Sequence, residues 1–302
     1  MGFYTQNGMK RPIRLSESTR EFARDSLARK YGLDTLKVDS VSVDDLENYN
    51  EMSAVARYDA AIQRIAAKSP IRICHKEKIS GAATLGMAIR HYVPATYKGK
   101  SVSYGMSHRT VDFETLLKYG VNSIKARAEK AYQEFKNTEN EEFSKSCLNC
   151  IEAFEIWHGR YLDALGNMPE YKDNYNNLKR VPFEPATSFY EAVQSLWFAF
   201  SFMRLCGNWP GIGRIDHLLG DYLKKDLNDG SITLDEAREI LAHFFIKGCE
   251  WVNGQYIGSG DAQHYQNILL GGIDQKGNEV TNEVSYLVLD ILEELGISDF
   301  PT

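Results

Sequence analysis

The sequence predicts an α/β protein with a high helix content, and three observations carry that prediction. Apolar residues recur at three- and four-residue steps over long stretches. Helix-start signals of the Ser/Thr-x-x-Glu type precede two of those stretches. The candidate strands are short, scattered and few. Hydrophobic residues make up 43% and charged residues 25% of the 302 positions, as in soluble globular domains and unlike disordered or collagen-like chains. That length accommodates two ordinary domains or one large one.

Ser16 to Gly32 carries Phe22, Ala23, Leu27 and Ala28 at helical spacing, with Gly32 as a stop signal. A second helix is expected from Asp45 to Lys68, ahead of Pro70. From Ile71 to Tyr97 the residues Ile71, Ile73, Gly81, Gly86, Val93 and Pro94 suggest short extended pieces and turns. Helical spacing returns from Phe113 to Glu134 and from Glu141 to Leu165, where Cys147, Ile151, Phe154 and Tyr161 mark one face. After a proline-bearing loop from Val181 to Ala186, Ser188 and Glu191 form a capping box ahead of EAVQSLWFAFSFMRL. That run is apolar on nearly every face, so it belongs in the middle of the protein. Thr233 and Glu236 repeat the capping box before AREILAHFFIKGCEWV, and Asn282 opens VSYLVLDILEELG, which ends at Gly296. Gln266 to Ile273 is the best strand candidate of the second half.

Composition narrows the function. Thirty-five Lys plus Arg against 41 Asp plus Glu leaves a net charge of −6, which gives no global positive field to attract nucleic acid. No run of about 18 apolar residues predicts a membrane span. Met1 to Arg14 has no apolar stretch of the secretory kind. Cysteines at 74, 147, 150, 206 and 249 are odd in number and lack a framework spacing, which points to a reducing cytoplasm. None of the seven histidines stands three or four residues from another, so no metal site is expected. Cys147 and Cys150 lie inside a strong helical pattern and read as two core-facing thiols one turn apart. Gly254 to Gly260 lacks the lysine of a phosphate loop, and Gly-x-Ser-x-Gly is absent.

Three segments break local rules, and function is sought there. Gly105 to Val121 places Ser107, His108 and Arg109 just before a helix expected near Asp112. That is either a polar-ligand site at a helix N-terminus or a plain surface loop. In Cys206 to Leu227 the apolar helix stops abruptly at Gly207-Asn208-Trp209-Pro210-Gly211, with the tryptophan as a packed plug or part of a site. Gly258 to Asp290 feeds polar and aromatic residues into a buried strand and a Gly-Gly turn.

At these segments the sequence resembles the N-terminal half of a glycyl radical enzyme of the pyruvate formate-lyase family, collinearly from about Arg57 to Pro301. The resemblance rests on Ser107-His108 with Asp112-Phe113-Glu114, on Pro185 to Phe198, and on Gly213-Arg214-x-Asp216 with Tyr222 and Asp226. It rests also on Gln266-Asn267 through Leu270-Gly271-Gly272 and on Thr281-Asn282-Glu283-x-Ser285-Tyr286. Each motif alone is weak, but their order and spacing together are specific. The resemblance implies the N-terminal part of a ten-stranded α/β barrel surrounded by helices, with residues 1–56 a peripheral helical segment and 57–302 the start of the barrel. It implies a lyase in which a thiyl radical takes hydrogen from a small polar substrate and triggers C–O, C–N or C–C cleavage. The chain itself would bind no cofactor. A glycyl radical would be installed elsewhere by a separate S-adenosylmethionine [4Fe-4S] activating enzyme, and a homodimer or the C-terminal portion would complete the assembly.

The resemblance also implies site residues. His108 matches a pocket position that is histidine in dehydratase-like members and arginine in formate-lyases. Asn208 and Trp209 match the turn lining the substrate pocket, and His264 and Tyr265 match a stretch carrying an aromatic wall. A neutral histidine can bond a hydroxyl or take a proton during elimination, while Arg109 keeps a carboxylate ligand in play. The family's catalytic cysteine lies beyond the Gly-Gly strand and its radical glycine in an Arg-Val-x-Gly segment. Here no cysteine follows Gly272, and Cys249 in Gly248-Cys249-Glu250 is a decoy in a helical setting. The expectation is a catalytically incomplete portion with an exposed strand edge and apolar face. The alternative is an inactive helical ligand- or protein-binding relative.

Overall fold

The computed structural model describes residues 10–28, 30–31, 42–82, 96–102, 105–248 and 268–296. Helix α1, Glu17–Leu27, starts where the Ser16 side chain accepts from the Thr19 amide. Helix α2, Ala54–Lys68, is capped in the same way by Ser53, so it begins well after the expected Asp45. Residues 44 to 52 form turns instead, because Ser53 satisfies the amides of the first turn. A small antiparallel pair follows, β1, Thr96–Tyr97, with β2, Lys100–Ser101. Strand β3, Ser107–Thr110, leads into α3, Phe113–Phe135, whose Asp112 cap accepts from the Thr115 amide.

Helix α3 is broken at Gly120, where φ is 72°. A Cβ there would collide with the Phe183 carbonyl, and the freed Val121 and Asn122 amides donate to Pro182 O and Phe183 O at 2.9 and 3.1 Å. Glycine therefore lets the 182–186 loop dock into the kink. Next come α4, Glu141–Gly166, and α5, Lys172–Arg180. Helix α6, Phe189–Leu205, is followed by β4, Trp209–Gly211, and β5, Gly213–Arg214. Then come α7, Ile215–Asp229, α8, Leu234–Gly248, β6, Ile268–Leu269, and α9, Glu283–Leu295, closed by Gly296 in the left-handed region at φ 62°.

The apolar run around Trp197 lies at the centre, as its all-round hydrophobicity requires. Helix α6 touches α3, α5, α7, α8 and β4. Phe189, Val193, Leu196, Trp197, Phe198 and Phe200 are completely buried. Trp157 of α4 meets Phe198 at 4.4 Å between ring centroids, and Phe244 of α8 meets Trp197 edge-on at 5.2 Å. Truncating one such ring to alanine costs about 3–5 kcal/mol. Two buried polar side chains of this helix are held by the extended stretch beside it. Gln194 accepts from the Ser80 amide and donates to Ser80 O, both at 2.8 Å, and Trp197 Nε1 donates to Gly81 O at 3.0 Å. Asp226 of α7 accepts from the Phe189 amide at 2.7 Å and so caps the central helix from outside. Leu269, Ile273, Tyr286 and Leu289, on β6, its following turn and α9, are each more than half exposed.

Candidate active site

Three distant stretches meet in one parallel ribbon. Strand β3 pairs with β4 in parallel, Ser107 opposite Trp209, Arg109 opposite Pro210 and Thr110 opposite Gly211. Strand β5 pairs in parallel with β6, Gly213 opposite Ile268 and Arg214 opposite Leu269. Since β4 and β5 are one extended run from 209 to 214, that run takes β3 as partner first and β6 afterwards. The switch falls at Gly213, with φ 81° and a hypothetical Cβ 2.9 Å from Thr110 Cγ2, so only glycine fits the joint. Pro210 has no amide to give, and it stands on the half of the run where only β3 is paired among the described residues.

The ribbon slips once. Between Ser107 and Arg109 the register shifts against the single step from Trp209 to Pro210, so His108 is the extra residue of a bulge. Bulges re-aim a side chain relative to the regular pleat and recur beside active sites. Asn208 stands just before β4, and its Oδ1 accepts from the Met106 amide at 2.9 Å. The structure thus brings the backbones of His108, Asn208 and Trp209 to the N-terminal end of the β3/β4 pair. His264 and Tyr265, ahead of β6 in the chain, lie outside the described residues. So does Cys249.

The other end is locked by polar groups that sequence reasoning identified only as motifs. Arg214 donates to Ile273 O at 2.9 Å and to Gly271 O at 3.0 Å. The fully buried Asp216 carboxylate accepts from the Gly271 amide and from Ser285 Oγ, both at 2.6 Å. Asn282 donates to Asp216 O at 2.9 Å while its own Oδ1 accepts from the Val284 amide, completing a capping box with Ser285. Gly271 and Gly272, at φ 65° and 86°, make the turn that presents these carbonyls. These motifs therefore recognise one another: they fix the end of the ribbon to the start of α9.

The segment Ser107 to Arg109 is accordingly a strand, which corrects the surface-loop alternative. A wall of buried residues backs it: Pro210, Gly211, Ile212 and Gly213 are buried, and α6 packs against β4. Thiols elsewhere are held protonated. Burial, with the Asp59 carboxylate nearby, pushes Cys150 up to about 11, and burial raises Cys147 and Cys206 as well. Cys150-Ile151-Glu152 has Cys-x-Glu spacing that the sequence reading passed over, but it sits mid-helix in α4, ahead of the Gly-Gly turn. Among the described residues, no group of three or more His, Cys, Asp or Glu side chains could hold a metal ion. No described helix is long and apolar enough to cross a membrane.

Residues 75–300 match the family model described as pyruvate formate lyase-like. The chain belongs to that family. It is 28% identical over 202 residues to the isethionate sulfite-lyase of Desulfovibrio desulfuricans, a match covering 59% of this chain and 24% of that protein. Its fold is that of a Roseburia inulinivorans protein solved for 1,2-propanediol dehydration, with TM-score 0.76, 20% identity, and coverage of 96% of this chain and 47% of that one. A glycyl radical enzyme from Archaeoglobus fulgidus gives a TM-score of 0.72 at 20% identity, covering 93% of this chain and 47% of the other. The chain thus spans about a quarter of the curated relative's length and just under half of each solved one. The expected helix-rich α/β architecture of glycyl radical enzymes is the one observed.

Proposed function

We propose that this chain builds one wall of the pocket of a glycyl radical lyase acting on a small polar organic substrate. The single observation that carries the reading is the convergence of three motif-bearing stretches on the 209–214 ribbon, with a register slip at His108. The chemistry supplied by the glycyl radical, installed by an S-adenosylmethionine iron–sulfur activase, is removal of a substrate hydrogen through a cysteine thiyl, which unlocks C–O, C–N, C–C or, by analogy with the sulfite-lyase, C–S cleavage. No cysteine follows Gly272 in the 302 residues and no Arg-Val-x-Gly segment occurs in them, so the role proposed for these residues is to shape the pocket and not to carry the radical.

What the chain's own residues contribute is shape, dryness and polarity. The apolar α6 and the buried 210–213 stretch keep water from one side of the pocket, as radical intermediates require. His108 hydrogen-bonds a substrate hydroxyl and serves as proton acceptor during elimination. Trp209, His264 and Tyr265 are assigned to the pocket by the family resemblance alone, and Asn208 belongs to the turn before β4. Arg109, exposed on β3, extends the range to anionic substrates such as sulfonates or carboxylates.

The test is His108→Ala in the assembled, activated enzyme, assayed against small hydroxyl-, ammonium-, sulfonate- and carboxylate-bearing compounds. Turnover is expected to fall at least tenfold with the glycyl radical signal in electron paramagnetic resonance unchanged. Unchanged turnover, or loss of the radical signal itself, overturns the assignment of His108 to substrate.

A further inference from the structure

We infer that Asn208 is a positioning residue whose amide staples the entry of β3 to the entry of β4 and thereby sets the bulge at His108. The importance of that bulge rests on the pocket reading above; the staple itself does not. Asn208 is tied at three atoms. Its backbone amide donates to Met203 O at 3.0 Å, and its carbonyl accepts from Nη1 of the buried Arg204 at 2.9 Å. Its Oδ1 accepts from the Met106 amide, 102 residues earlier in the chain. The side chain also neighbours the Tyr58 phenol of α2, whose pKa is raised by burial and held down in part by Asn208.

The consequence is a phase. In a parallel pair each residue slipped turns the following side chain to the opposite face. Here the Met106 amide is held by a side chain instead of a β4 carbonyl. The first rung then falls between Ser107 and Trp209, and the extra residue is absorbed one step later, at His108. Beneath the staple the two backbones run close together: a Cβ on Gly105 would lie 2.6 Å from Gly207 O, so only glycine allows this approach. Asn208 so acts on the substrate through His108, with its own amide spent on the protein.

The experiment uses the full 302-residue chain, with backbone amide exchange followed over residues 105–110 and the imidazole of His108 followed by isotope-labelled NMR. Asn208→Ala is expected to raise exchange of the Met106 amide at least tenfold and to move the His108 ring resonances. Asn208→Asp, which keeps an acceptor at the Oδ1 position, is expected to restore both to near wild type. Wild-type exchange and an unmoved His108 signal in Asn208→Ala overturn the proposal, and so does failure of the aspartate to rescue. If Asn208→Ala does not fold, Asn208→Ser decides: it takes the acceptor out of reach of the Met106 amide, and Met106 exchange is expected to rise at least tenfold, no rise refuting the staple. Turnover of His108→Ala reports on the pocket reading alone, so either idea can fail while the other stands.

Discussion

The C-terminal end of the 209–214 run is held by charged groups: Arg214 on two carbonyls and a buried Asp216 on a backbone amide and a serine hydroxyl. The N-terminal end is held by one neutral amide and a contact between two glycine backbones. The first end is regular and the second carries the bulge. A ribbon anchored rigidly at one end can tolerate an irregular strand at the other, and irregularity is where a side chain is re-aimed toward chemistry. If that contrast is right, damage to the first end should cost global stability, and damage to the second should act locally.

Asp216→Ala is the strongest way to break it. The substitution leaves the half-buried Gly271 amide and the buried Ser285 hydroxyl without their acceptor, at about 1–3 kcal/mol for each stranded group. A loss of roughly 3–5 kcal/mol in urea unfolding is expected, with α9 losing amide protection together with β6. A loss under about 1 kcal/mol would mean that the clamp is not what holds this end.

Gly105→Ala probes the other end. Its new Cβ meets backbone, Gly207 O at 2.6 Å, which cannot swing aside as a side chain could. The expected cost is about 1–3 kcal/mol, and the sharper reading is where it appears: amide exchange should rise over 105–110 and 207–211 and stay unchanged in α9. Exchange rising uniformly through the chain would erase the distinction between the ends.

How far the sequence reveals this contrast differs between the two ends. Helices are legible where a side chain declares the start: Thr233 with Glu236 and Asn282 cap as expected, Ser188 caps α6 although Glu191 reaches back to the Thr187 amide and not to Ser188, and Gly296 closes α9. Apolar spacing continues upstream of Ser53, so the sequence predicts α2 longer than it is, and α5 and α7 lack an announcing cap, with no side-chain bond at either start. The break at Gly120 is set by a loop more than sixty residues away, which no local pattern encodes. The strands are the hardest case. Strand β3 is the four residues SHRT, without apolar alternation, and its partner lies about a hundred positions on, so periodicity cannot reveal it. The predicted strand from Gln266 to Ile273 reduces to Ile268–Leu269 within the described residues, since Gly271 and Gly272 turn the chain at once. His108, Asn208 and Trp209 are found by resemblance, and the structure brings their backbones to one end of the β3/β4 pair; Met106, whose amide holds Asn208, carries no signal in the sequence.

Arg214→Lys should have the smallest effect, and it tests whether geometry or charge matters at the clamped end. The guanidinium spans Ile273 O and Gly271 O with two nitrogens at 2.9 and 3.0 Å, a fork that fixes the spacing between two carbonyls of one turn. A lysine ammonium keeps the positive charge but is a single point on a flexible stem, so it bonds one carbonyl well or shares itself between both. Gly271 O and Ile273 O are partly exposed, and water can take the carbonyl that lysine releases, which limits the loss to about 1 kcal/mol. Arg214→Met, which removes the charge as well, should then cost little more than Arg214→Lys in denaturant unfolding. A lysine variant as stable as wild type would show that the charge alone holds the turn, and the rigidity of this end would have to come from Asp216.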